Sequence, residues 1–231
     1  MSSSSNSGLL ISLGALGLYG YTVYSLVGPQ VAEAYSLAFP LNEYGVFRFL
    51  TNQCALIQLV NALLHVLAHF IKPLRGPRDL VFSTLAFPVG AIVVFTFWLV
   101  CYGMGREAIF PAVLDNFYPA WLNHATHTVI VPINLLLALL VNHKYYKYGT
   151  VVTTVYLSAY IVFLHVVKAK TGLFIYRYLN DMDDIKLVLN YVFSAMITYL
   201  MYELGSLVTR LVYGRGQQAV TTKKSKGHKQ K

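Results

Sequence analysis

Seven histidines stand in a chain of 231 residues. Four of them form two close pairs, His65 and His69 in HVLAH and His124 and His127 in HATH. An imidazole with a pKa near 6.5 can take or give a proton at neutral pH, or hold a metal through a ring nitrogen. Either task needs partners on the same face. If residues 46–71 form a helix, Thr51, Gln58, His65 and His69 fall on one stripe within about 40°. If residues 121–141 form another, Asn123, His127 and Asn134 share a second stripe, with His124 three residues before His127. A threonine hydroxyl is inert until a base removes its proton during attack. Thr51 beside a histidine is therefore the minimum for a base-activated nucleophile. The same stripes also suit a plain interhelical seam, in which Thr51 bonds only its own i−4 carbonyl at Phe47.

The composition says which elements must carry these residues. Hydrophobic residues make up 56% of the chain and charged residues 12%, against roughly 25% charged in an average soluble domain. That balance argues against a disordered chain, a nucleic-acid-binding arm or a soluble single-core domain. About 20 apolar residues span a bilayer as a helix, and six runs qualify: 9–27, 46–71, 80–102, 121–141, 151–167 and 185–212. Pro88 and Gly90 predict a kink in the third. Gly14, Gly17 and Gly20 predict a close helix approach in the first. The short uncharged start lacks the basic region of a secretory signal. Twelve of the eighteen Lys and Arg lie in the loops after spans two and four and in the segment from Arg210. The positive-inside rule assigns those regions to the cytosol, with both termini. The expected fold class is an all-α, polytopic bundle of six transmembrane helices, as one domain over residues 1–213. A basic, disordered cytosolic tail over 214–231 follows, and the ending GHKQK favours the endoplasmic reticulum over the plasma membrane.

Orientation gives depth. Spans two and four both start on the non-cytosolic side, and Thr51 and His127 lie about five and six residues inside. Each is then about 8 to 9 Å below the same surface. The histidine pairs also resemble in spacing the boxes of membrane di-iron hydroxylases. His65, however, lies about 21 Å deeper along its helix than Thr51. It is remote from His124 and His127, whereas metal ligands must converge within about 2 Å of the ion. The reading is therefore of a site with no metal and no cofactor. Only two cysteines occur, too few for a disulfide framework or a zinc quartet. Cys54, three residues after Thr51, is a rival nucleophile or a small packing residue. Glu203 reads as a buried acid, neutral or paired.

Particular strings carry a resemblance. LAFPVGAIVVFTFW (85–98) and IFPAVLDNFYPAWLNHATHT (109–128) resemble the androgen-induced membrane protein family, densely over 80–132. FRFLTNQ (47–53) resembles the family's segment around its nucleophile, and TGLFIYRYL (171–179) its stretch after the fifth span. The resemblance implies a six-span, metal-independent threonine hydrolase of fatty acid esters of hydroxy fatty acids. It maps the nucleophile onto Thr51 and the base onto His127. Asn123, Asn52 and His124 are expected as supports that donate to the oxyanion. Asp115 is expected either to orient the imidazole or to stabilise its own loop. The expected partners are a lipid ester drawn from the bilayer and the membrane lipids, with no nucleic acid. The residues point to no particular oligomeric state. The alternatives are a non-enzymatic membrane scaffold or regulator, a transporter and a metal-dependent hydroxylase.

Overall fold

The computed structural model describes residues 3–38, 45–146 and 148–227. Among them the chain forms α1 (Ser3–Val27), α2 (Pro29–Ala38), α3 (Leu50–Phe70), α4 (Arg75–Val81), α5 (Phe87–Gly103), α6 (Ala120–His127), α7 (Ile130–Leu140), α8 (Gly149–Thr171), α9 (Arg177–Asn180) and α10 (Asp184–Gly227), and no strand. Five stretches are long and apolar enough to cross a membrane: α1, α3, the stretch Lys72–Gly103 that contains α4 and α5, α8, and Asp184–Gly214 of α10. The pair α6–α7, bent by 47°, makes a sixth. The protein is an all-α polytopic membrane bundle. Past Gly214, α10 carries part of the basic segment expected as a tail. Lys147, used in the charge count, and the final residues 228–231 lie outside the described residues.

The central helix is α5, buried along most of its length, while α8 and α10 turn apolar side chains such as Val155, Val162, Val188 and Val192 outward. Helix α1 packs on α3 through Ser12, Ala15, Tyr19, Thr22 and Leu26. This spacing of three and four residues keeps one stripe against a neighbour. The expected close approach at the α1 glycines does not occur. A Cβ at Gly14 or Gly17 would meet nothing within 4 Å, and one at Gly20 only Leu59 at 4.0 Å. These three glycines lie off the buried stripe; the close approach on α1 is at Gly8, where a Cβ would sit 2.9 Å from Val141 Cγ2.

The expected kink takes the form of a π-helical turn at Phe82–Ala86, just before Pro88. Pro88 has no N–H, so the Thr84 carbonyl loses its i+4 donor, and the Thr153 hydroxyl of α8 donates to it instead. The Ala86 carbonyl accepts from Gln58 Nε2 at 2.7 Å and Asn134 Nδ2 at 3.0 Å. Three helices are thereby tied at one carbonyl, and Gln58 and Asn134 belong to the scaffold. Gly90 makes room for the knot, because a Cβ there would sit 2.5 Å from Ile130 Cγ2 and 2.9 Å from Gln58 Nε2. Gly90→Ala is expected to destabilise the bundle by about 1–3 kcal/mol, the usual cost of overpacking. A lowered Tm in detergent checks this, and an unchanged or raised Tm contradicts it.

Candidate active site

The site is built at the start of α3. Gly45 adopts φ 63°, a left-handed conformation open to glycine. A 3-10 turn at Val46–Arg48 and an extended Phe49 follow, so α3 begins at Leu50, four residues later than expected. Side chains of its first turn reach back to fix that turn. Asn52 Nδ2 donates to the Val46 carbonyl at 2.7 Å, and Gln53 Nε2 to the Phe47 carbonyl at 2.9 Å. The Leu50 N–H, left without a helical acceptor, points at the hydroxyls of Tyr160 and Tyr176, both at 2.9 Å. Thr51 therefore stands rigidly in the first turn. Its hydroxyl does not fold back on Phe47 but lies 3.2 Å from His127 Nε2.

His127 closes α6. Thr128 leaves helical geometry at φ −133°, ψ −57°, and α7 resumes after the bend. Trp98 Nε1 donates to the His127 carbonyl at 2.8 Å at this break. The imidazole stacks on Phe97 at 3.8 Å and is 7% exposed. Its Nδ1 lies 2.8 Å from Asn123 Oδ1, 3.1 Å from the Thr126 hydroxyl and 3.2 Å from the Asn123 carbonyl. The two Asn123 oxygens can only accept, which puts the ring proton on Nδ1. Nε2 then carries the lone pair and accepts from the Thr51 hydroxyl. Thr51, His127 and Asn123 form a hydroxyl–imidazole–amide relay.

Asp115 stands elsewhere. It pairs with Arg106 on the exposed loop, and that hydrogen-bonded guanidinium holds its carboxyl below the usual carboxylate range. It fills the loop-stabilising role, and Asn123, four residues before His127, orients the ring. The Asn52 amide is spent on Val46 and on Tyr35 at 3.1 Å. His124 is exposed, with Nδ1 3.1 Å from the Thr128 hydroxyl. Cys54 is fully buried, with Gln58 Nε2 at 3.8 Å. Glu203 is half-exposed and 3.9 Å from Arg210, a surface pair instead of the expected buried acid.

The second histidine group is separate. His65 Nε2 faces His143 Nε2 at 3.5 Å, and His143 Nδ1 lies 3.1 Å from Asp79, which Arg78 also binds. His65 thus joins a partner from the segment after α7, while His127 joins Thr51. The two sets lie apart and do not converge on one point. Among the described residues no three His, Cys, Asp or Glu group together in a metal-binding cluster.

A cavity of about 180 Å³ opens beside Thr51 between α5, α8 and α10. Its walls include Phe97, Leu157, Ile161, Tyr176 and Tyr199, and it follows α8 from Leu164 to Thr150. The α8 residues that line it extend over about 20 Å of helix. Sequence reasoning missed Phe97, Tyr160 and Tyr176. Tyr176 falls in an irregular loop, where no periodicity marks it, although it lies within the TGLFIYRYL stretch.

Fold and site define a polytopic membrane protein with a hydroxyl–imidazole pair opening into an apolar slot. The family model described as FAR-17a/AIG1-like protein matches residues 7–210, and the chain belongs to that family. It is 31% identical over 145 residues to the Androgen-induced gene 1 protein of Homo sapiens, covering 62% of this chain and 60% of the relative. It is 40% identical over 139 residues to the Androgen-dependent TFPI-regulating protein of Homo sapiens, covering 58% and 60%. The Rattus norvegicus protein of that name is 28% identical over 197 residues, covering 80% and 85%. The matches thus span about 60% of the length of the two human relatives. No solved structure matches the chain.

Proposed function

We propose that this protein is an intramembrane lipid ester hydrolase, acting on fatty acid esters of hydroxy fatty acids through Thr51 as nucleophile and His127 as base. The observation that supports this most is the 3.2 Å approach of the Thr51 hydroxyl to His127 Nε2 at a long apolar cavity. A buried hydroxyl–imidazole contact alone also suits a seam. An apolar cavity that Thr51 lines and that runs beside α8 suits the acyl chain of a substrate.

In the proposed reaction His127 Nε2 takes the Thr51 proton as Oγ1 attacks the ester carbonyl. Asn123 Oδ1 holds the Nδ1–H and stabilises the imidazolium that forms. The tetrahedral intermediate collapses, the C–O bond to the alcohol breaks, and His127 returns the proton to that oxygen. The hydroxy fatty acid leaves and Thr51 keeps the acyl group. Water, deprotonated by the same Nε2, then attacks the acyl-threonine, and the fatty acid departs as the Thr51 hydroxyl is restored. In the orientation given by the Lys and Arg counts, the relay lies near the luminal or outer surface, and the ester enters sideways from that leaflet.

Covalent labelling tests the reading. A fluorophosphonate is expected to form one adduct, mapped by peptide mass spectrometry to Thr51. An adduct on Cys54 or on a serine, with Thr51 unmodified, contradicts it.

A further inference from the structure

The oxyanion of the tetrahedral intermediate needs hydrogen-bond donors, and the side chains expected to provide them are engaged elsewhere. The Asn52 amide is bound to Val46 and Tyr35, Asn123 turns its oxygen to His127, and His124 is exposed. We infer that the Tyr176 hydroxyl donates to the oxyanion formed on attack by Thr51, an assignment that rests on the hydrolase reading.

Proton accounting at the start of α3 carries it. The Leu50 N–H points at the oxygens of Tyr160 and Tyr176, so both hydroxyls act there as acceptors. Tyr160 has the Arg48 carbonyl at 2.9 Å as acceptor for its own hydrogen. Tyr176 has no such outlet. Among the described residues its hydroxyl donates to no carbonyl, and its remaining neighbour, the Tyr160 hydroxyl at 3.1 Å, donates to it. Tyr176 and Thr51 line the same cavity, and the Tyr176 oxygen is fixed against the backbone N–H of the residue before the nucleophile. Tyr176 accepts in both of these bonds, so its own hydroxyl hydrogen is held at the reacting end of the cavity. Phe49 packs edge-on against the Tyr176 ring at 5.6 Å and sets its position. Burial pushes the Tyr176 phenol up to about 12, so it keeps its proton at neutral pH. The first turn of α3 adds its positive dipole end on the same side.

In this arrangement Tyr176 does not transfer its proton. Its hydrogen forms a charge-assisted bond to the oxyanion, present in the transition state and absent in the ground state. Its loss therefore falls on kcat and leaves KM nearly unchanged.

The experiment uses the purified full chain in detergent and a long-chain p-nitrophenyl ester as probe. Tyr176→Phe is expected to lower kcat by about 10²–10³-fold, the usual effect of removing one oxyanion donor. KM should change by less than about threefold. Replacing Tyr176 with a fluorinated tyrosine, which preserves ring and hydroxyl but makes the phenol more acidic, covers the case of a Phe variant that fails to fold. The alkaline limb of the kcat profile is expected to move to lower pH, because the ionised phenolate no longer donates. A Tyr176→Phe enzyme with unchanged kcat, or a pH profile that fluorination does not move, overturns the assignment. If Thr51→Ala is inactive while Tyr176→Phe is fully active, only the Tyr176 role falls. If Thr51→Ala turns over the probe, the nucleophile reading falls first.

Discussion

Thr51→Ala is expected to lower ester turnover on the order of 10⁴-fold and to abolish fluorophosphonate labelling, with the protein still expressed and folded. The effect is large because no other hydroxyl replaces this one. Thr51 is in the first turn of α3, whose backbone and flanking side chains are held from both sides, and its Oγ1 alone faces His127 Nε2. The fold should tolerate the change. Thr51 is only half-buried, and the first turn is anchored by Asn52 and Gln53, which the substitution leaves intact. Thr51→Ser keeps the nucleophilic oxygen and is expected to retain most activity, losing what the methyl contributes by fixing the rotamer. Stopped ester hydrolysis in Thr51→Ala, with a circular dichroism spectrum and Tm like the parent's, is the expected pattern. Full turnover by purified Thr51→Ala contradicts the mechanism. Cys54 offers no bypass, since its thiol is fully buried against Gln58.

The pairing of Thr51 with His127 was legible in the sequence because face and depth follow from helical periodicity and span boundaries alone. Six apolar runs fixed six helical elements, and matched depth selected one hydroxyl and one imidazole. What the sequence did not disclose lies where the helices stop being regular. Asn134 looked like a continuation of the His127 stripe, yet the break at Thr128 turns α7 by 47° and sends Asn134 to the Ala86 carbonyl. Pro88 marked a kink, but the π turn precedes it, because the carbonyls freed by a proline lie upstream. Helix α2 is a ten-residue amphipathic piece burying Val31, Ala34 and Tyr35, too short to register beside membrane spans. Asp115 was weighed as an orienter on charge and chain proximity, while the neutral Asn123 one turn before His127 meets the ring. Tyr160 and Tyr176 were hidden among 18 tyrosines. Their role comes from converging on one backbone N–H across more than a hundred residues, which no local pattern encodes.

His127→Ala is expected to cost about as much as Thr51→Ala, on the order of 10⁴-fold, because the two act as one unit and the second loss adds little. A Thr51→Ala, His127→Ala double variant should therefore be no slower than either single one, which distinguishes a joint mechanism from two independent structural defects. Exogenous imidazole supplies a further check. Truncation at residue 127 leaves the slot between Phe97 and Asn123, and a small imidazole can occupy it and accept the Thr51 proton. Partial recovery of turnover by imidazole in His127→Ala, and none in Thr51→Ala, is the expected result. Asn123 refines the argument, because its side-chain oxygen holds Nδ1 in the protonated tautomer that frees Nε2. Asn123→Leu keeps the volume and removes that acceptor, leaving Nδ1 with the longer contacts to the Thr126 hydroxyl and the residue 123 carbonyl. Its turnover should fall between the parent's and that of His127→Ala. An Asn123→Leu enzyme as active as the parent would show that the backbone carbonyl and the Thr126 hydroxyl suffice to set the tautomer, whereas loss equal to His127→Ala would make the amide as necessary as the base it holds.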